Sequence, residues 1–110
     1  MQPEDGVGST AGTPPRVPAR ALRLATSPNP FTGRTNIAFT LPARAPVEMG
    51  VYDVSGRLVC ALVNAPLNAG AYSVAWDGHA MGGGRAAAGV YFVRLRAGDR
   101  RMEAKVVKMQ

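Results

Sequence analysis

The sequence predicts an all-β fold, an antiparallel sandwich of about seven short strands. Three observations carry this. Apolar and polar residues alternate along run after run, the period of a strand covered on one face. Gly, Pro, Asn, Asp and Ser cluster between those runs at intervals of roughly 8–12 residues, the rhythm of hairpins and short crossovers. No segment repeats apolar residues at helical spacing over a full window, and 13 Gly and 9 Pro in 110 residues work against helices.

Residues 1–20, MQPEDGVGSTAGTPPRVPAR, hold Pro, Gly, Ser and Thr and few large apolar groups. Such a stretch cannot bury enough surface to offset the entropy of ordering it. It is expected to be a disordered linker, with residues 21–110 as the folded domain. A linker at the head of a chain suggests that a larger protein once preceded it, or that the reading frame is taken from too late a start. Leu22-Arg23-Leu24 opens the ordered part as a short strand. In Ser27-Pro28-Asn29-Pro30-Phe31-Thr32-Gly33, two prolines deny ladder donors and mark an edge or crossing loop, with Phe31 available to anchor it. Thr35 to Leu41 sets Ile37, Phe39 and Leu41 on one face.

Pro42 to Pro46 reads as a turn, and Val47 to Val54 as a strand with Val47, Met49 and Val51 inward and Glu48 and Tyr52 outward around Gly50. Ser55-Gly56 supplies a tight hairpin. Leu58 to Val63 is apolar on both faces, which points to a strand covered twice or adjoining a partner. Asn64 to Gly70 reads as a connection, followed by alternating Tyr72, Val74 and Trp76. Asp77-Gly78 ends that strand, and HAMGGGRAAAG leads into the final hairpin, with Gly82-Gly83-Gly84-Arg85 expected to be a long flexible turn.

The last stretch, Gly89 to Lys108, is a hairpin around Gly98-Asp99. That tip sets Leu95 opposite Met102, Val93 opposite Ala104 and Tyr91 opposite Val106. The other face pairs Arg94 with Glu103 and Phe92 with Lys105, and puts Arg96 opposite Arg101. A slip of one residue would scatter the apolar pairs, so the register is well specified.

A net charge of +6 raises the question of nucleic acid. Most arginines are scattered near turns, however, and the one enrichment is the final hairpin. That stripe reads as a solvated strand face with a weak, salt-sensitive attraction for acidic partners, and no nucleic-acid partner is expected. No apolar run approaches the roughly 20 residues of a membrane span. The N-terminus lacks the pattern of a secretory signal, so the chain as written is expected to stay in the cytosol.

Chemistry is poorly represented. Cys60 lies in the apolar run LVCALV and reads as a small hydrophobe, and only His79 could activate it. Asp53 and Asp77 each follow an aromatic at a strand end, where a carboxylate most often caps turn amides. One His and one Cys are too few for zinc, DGHAMGGG lacks the alternating oxygens of a calcium loop, and Gly82-Gly83-Gly84-Arg85 lacks the rest of a phosphate loop. A triad of Ser55, His79 and Asp53 can be written on paper without any sign of a nucleophile turn. The expectation is no enzyme, no metal and no cofactor.

Four pieces occur in a telling order: Asn29-Pro30-Phe31; Val51-Tyr52-Asp53-Val54-Ser55-Gly56-Arg57; Trp76-Asp77-Gly78; and Gly89-Val90-Tyr91-Phe92-Val93-Arg94-Leu95. Together they resemble the type A C-terminal sorting domain of bacterial type IX secretion. They are also similar to the immunoglobulin-like domain of the flagellar hook-capping protein (FlgD-like). The resemblance spans roughly residues 22–108. It implies a seven-stranded immunoglobulin-like sandwich whose structural motif is Asn29, Pro30, Phe31, Tyr52, Asp53, Gly56, Trp76, Asp77, Gly78, Gly89 and Tyr91. It implies a module at the end of a secreted or cell-surface protein, made as part of a larger precursor with a signal peptide. In the family, such a module is read by secretion machinery in the outer membrane and can then be removed. The loop His79 to Ala88 departs from the family, being mostly Gly and Ala where polar residues are usual.

The recognition surface expected on the last hairpin comprises Phe92, Arg94, Arg96, Arg101, Lys105 and Lys108, with secretion proteins or anionic lipopolysaccharide as partners and a monomer as the working unit. Two other readings stand beside it. One is a structural module, a hook-cap component or a spacer in a surface protein. The other is a carbohydrate-binding sandwich, which would want exposed aromatics on one face, where only Phe92 and Tyr52 are candidates.

Overall fold

The structure, a computed structural model, describes residues 22–110. The expected linker 1–20 lies outside the described residues. Seven strands are found among them: β1 (Arg23–Ser27), β2 (Thr35–Leu41), β3 (Ala45–Asp53), β4 (Leu58–Leu67), β5 (Gly70–Trp76), β6 (Gly89–Ala97) and β7 (Arg100–Lys108). They make two antiparallel sheets, one ordered β1-β2-β5 and the other β4-β3-β6-β7. The all-β immunoglobulin-like sandwich expected from the sequence is therefore the fold observed.

Strand alternation builds the interior. Ile37, Phe39 and Leu41 of β2 face Val47, Met49 and Val51 of β3, Tyr91, Val93 and Leu95 of β6, and Val106 of β7, all buried. The final hairpin adopts the register its sequence specifies, from Ala97 opposite Arg100 to Gly89 opposite Lys108. Gly98 takes a φ of +62° at the tip, a conformation with little cost for glycine.

Several boundaries differ from expectation. β4 continues past Val63 through Pro66 to Leu67, where a connection was expected. The reason lies in the ladder: Pro66 faces Pro46, and the Pro46 carbonyl turns away from β4 to accept from Gly98 N at 3.0 Å. At such a non-hydrogen-bonded site neither proline is asked for an N–H. The β3–β4 register also shifts at Met49/Gly50 and again at Val51/Tyr52. These irregularities explain why LVCALV shows no clean alternation, since each shift re-aims the side chains that follow.

The segment that holds Gly82-Gly83-Gly84-Arg85, expected as a long flexible turn, is knit by backbone bonds. Ala80 N donates to Gly84 O (2.7 Å), Ala86 N to Gly78 O (2.8 Å), and Met81 N reaches β4 at Val59 O (2.8 Å). This loop thereby covers part of the β4 edge.

At one end of the sandwich three aromatics lock the sheets together. Trp76 packs edge-on against Phe31 (centroids 5.4 Å apart) and against Tyr91 (5.3 Å). Such T-shaped pairs add stability beyond the area they bury. The Trp76 indole N–H donates to His79 O at 3.0 Å, so the largest buried side chain carries no unsatisfied polar atom.

Candidate functional site

The outer face of the four-stranded sheet is where exposed chemistry collects. Residues pointing away from the core alternate with the buried ones: Glu48, Gly50 and Tyr52 on β3, Phe92, Arg94 and Arg96 on β6, Arg101, Glu103 and Lys105 on β7. Leu58, Ala61 and Asn64 of β4 extend the face. Most of these line a shallow groove of about 790 Å³. Gly50 forms part of its floor. A Cβ there would come within 2.9 Å of Leu58 Cδ1 and 3.2 Å of the Cys60 carbonyl, so the close approach of β4 calls for glycine.

The face is electrostatically uneven. Arg94 Nε donates to Glu103 Oε2 at 2.8 Å, and its guanidinium lies over the Tyr52 ring, 4.5 Å from the centroid. Arg96 sits 3.8 Å from Glu48. Four cations (Arg94, Arg96, Arg101, Lys105) meet two carboxylates (Glu48, Glu103), leaving the face positive. Arg101 faces Arg96 across the strands and has no ion-pair partner among the described residues.

Arg94, Arg96, Arg101 and Lys105 thus lie together on this face. Phe92 is half-buried beside Tyr52. Lys108 is a correction. It is 4 % exposed and lies on the inner face with Met102, Ala104 and Val106, its stem packed against Gly78. Strand parity decides this: positions 101, 103 and 105 point out, so 108 points in. Of the two aromatic candidates for sugar stacking, Tyr52 has the Arg94 guanidinium over its ring and Phe92 is half-buried.

Tyr52 apart, the motif residues serve chiefly to hold the fold. Asn29, after which Pro30 follows in cis, bonds β7 through its side chain, with Nδ2 on the Lys105 carbonyl and Oδ1 on the Val107 amide. Phe31, Trp76 and Tyr91 form the aromatic cluster. Asp53 caps the β3–β4 hairpin, its Oδ1 accepting from Ser55 Oγ (2.6 Å), Ser55 N (2.9 Å) and Arg57 N (3.0 Å) around Gly56. These bonds, the Ser55 hydroxyl foremost, lower its pKa. Asp77 accepts from His79 N at 3.0 Å and sits 3.1 Å from His79 Nδ1, and the His79 amide chiefly lowers its pKa too. Gly78 has a φ of +84°, and Gly89 opens β6 at +153°.

The catalytic constellations written from sequence are not assembled. Ser55 donates to Asp53 directly, while His79 pairs with Asp77. Burial, and secondarily the Asp77 charge, raises the Cys60 pKa, the opposite of what a nucleophilic thiol needs. Among the described residues, no three of His, Cys, Asp and Glu gather as a metal centre would require.

A family description of the FlgD Ig-like domain matches residues 25–100. The chain belongs to the FlgD Ig-like domain family. As a FlgD Ig-like domain it is also similar in fold to a part of PorZ, described as an essential bacterial surface component of the type-IX secretion system of Porphyromonas gingivalis. That likeness has a TM-score of 0.52 at 19 % identity, covering 79 % of this chain and 11 % of that one. A second similar structure is the Pseudomonas fluorescens alkylpurine DNA glycosylase AlkC bound to DNA, with a TM-score of 0.49 at 20 % identity, covering 80 % of this chain and 29 % of that one. This FlgD Ig-like domain therefore spans only a minor share of either protein, and the PorZ likeness, at 19 % identity, speaks for the fold alone. A search of curated protein sequences found no match.

Sequence reasoning missed two parts of this face. Glu48 was seen to point outward, but its place beside Arg96 depends on β3 pairing with β6, a long-range choice. The contribution of Leu58, Ala61 and Asn64 depends on the β3–β4 bulges. Gly50, a lone glycine inside a strand, was the available signal.

Proposed function

We propose that this domain is a non-catalytic recognition module of an exported bacterial protein, a sorting and anchoring element read by type IX secretion machinery at the outer membrane. The observation that carries the reading is the positive outer face of the β4-β3-β6-β7 sheet, which holds most of the exposed charge of the final hairpin while most of the motif residues serve the fold. Support comes from the four-part sequence resemblance and from the likeness of the fold to a domain of PorZ, a type-IX surface component.

The test fuses the 110-residue chain behind a signal peptide and a fluorescent protein in a type IX-competent host. Fluorescence at the cell surface or in the medium is the expected result. Retention in the periplasm would leave the second reading, a structural spacer or hook-cap-like module. The membership in the FlgD Ig-like family and the stiff aromatic end of the sandwich favour that alternative.

A further inference from the structure

We propose that the outer edge of β7 between Arg101 and Lys105 takes up an extended acidic peptide as an added strand, its carboxylates set against Arg101 and Lys105. The inference rests on reading the domain as a recognition module, and supplies the docking site and the chemistry of the partner.

In an antiparallel pair, alternate residues turn both backbone groups toward the neighbouring strand and the others turn them away. Asn29 identifies the outward set on β7. Its Nδ2 donates to Lys105 O at 2.9 Å, its Oδ1 accepts from Val107 N at 2.9 Å, and Phe31 N donates to Val107 O at 3.0 Å. Residues 101, 103, 105 and 107 therefore face the edge. Asn29 and Phe31 occupy it from the Lys105 carbonyl onward, and β1 lies alongside β7 with no backbone bond to it among the described residues. Among the described residues, no backbone bond reaches the outward groups of Arg101, those of Glu103, or the Lys105 N–H. The opposite edge of the sheet is less suited, since β4 carries the bulges, Pro66 and the Met81 contact.

A row of alternating N–H and C=O groups matches a peptide backbone, the pairing used in strand addition, and does not match a phosphate. Charge selects among peptides. A second copy of β7, paired symmetrically about Glu103, would set carboxylate against carboxylate and Arg101 against Lys105, both unfavourable across strands. An incoming segment with an acid opposite Arg101, a neutral residue opposite Glu103 and an acid opposite Lys105 satisfies every position. It would also relieve the Arg96–Arg101 opposition.

The experiment titrates the full 110-residue chain, labelled with nitrogen-15, with a blocked heptapeptide carrying Glu at two positions four apart and Thr midway between them. Expected are amide shifts at Arg101, Glu103 and Lys105, and a loss of affinity of tenfold or more with any of three changes. These are Lys in place of the peptide's Glu, N-methylation of its alternate amides, and Arg101→Glu in the domain. Arg101→Pro removes the outward N–H together with the guanidinium, breaks no bond to β6, and should also abolish binding; should that variant unfold, Arg101→Glu decides. Equal binding of the Lys or N-methylated peptide would overturn the proposal. So would no binding at millimolar peptide, or shifts with inorganic phosphate or lipopolysaccharide micelles that match those of the acidic peptide. Export plays no part in this titration, so its failure is separable from failure of the sorting reading.

Discussion

The Asn29 side chain meets β7 as a strand would, with Oδ1 2.9 Å from the Val107 N–H while Nδ2 donates to the Lys105 carbonyl. A carboxamide is a peptide group without a chain, so one residue closes the end of a sheet edge that the two flanking prolines could not. Asn29→Ala should cost about 1–2 kcal/mol in urea unfolding, from two bonds to β7 of modest net worth and a longer third to Thr26 Oγ1 at 3.3 Å. Asn29→Asp keeps the acceptor and turns the donor into an oxygen facing a carbonyl, so it should rescue little. Hydrogen exchange at Val107 should quicken in both variants.

Trp76 is 1 % exposed between Phe31 and Tyr91 and holds His79 O through its indole N–H. Trp76→Ala should destabilise by about 3–5 kcal/mol, the range for emptying a large aromatic site. Trp76→Phe should recover part of this but leave the His79 carbonyl unpaired. Thermal melts of both variants check the ordering, and a melt unchanged in Trp76→Ala would mean the strand faces are misplaced.

Tyr72 and Tyr91 use the same device in different strands. Each hydroxyl donates to a carbonyl four residues earlier, Asn68 O and Ala87 O, and each strand begins two residues before the tyrosine with a glycine at φ +149° or +153°. Phe substitutions remove a single hydrogen bond, for which roughly 0.5–1.5 kcal/mol is usual. Tyr91→Phe should cost more than Tyr72→Phe, because the Tyr91 bond is part-buried and the other exposed. Gly89→Ala should cost at least as much as Tyr91→Phe, since a Cβ is strained at that φ. Denaturant midpoints of the three variants give the ranking.

The fold was readable because its inward positions obey strand parity. Ile37, Phe39 and Leu41, or Tyr91, Val93 and Leu95, could be assigned to one face before any neighbour was known. The hairpin register followed from the Gly98-Asp99 tip. What escaped was non-local. The course of β4 depended on two register shifts and a proline pair, and the knitting of residues 77–88 depended on backbone bonds that Gly and Ala make without any side-chain signature. Lys108 reads as exposed from its charge, but strand parity turns it to the inner face. The candidate surface was legible where it stayed within one hairpin and lost where β3 brought Glu48 to it.

Titration offers a test of the two Asp caps and of Tyr91 together. Asp53 and Asp77 have pKa values below the ordinary carboxylate range because turn donors stabilise their charged forms. The unfolded chain then binds protons before the folded one does, so stability present above about pH 4 falls as pH drops through the lowered values. Tyr91 shifts the other way, chiefly because burial disfavours the phenolate. Above about pH 10 the unfolded chain loses that proton while the folded one keeps it, so stability falls again as pH rises toward the raised value. Urea midpoints measured from pH 2 to 12 should therefore form a plateau with two declining limbs. Asp53→Asn and Asp77→Asn should each flatten the acid limb and leave the alkaline one unchanged, and Tyr91→Phe should do the reverse. An acid limb of full slope in the double Asn variant would show that neither carboxylate supports its turn more strongly when charged.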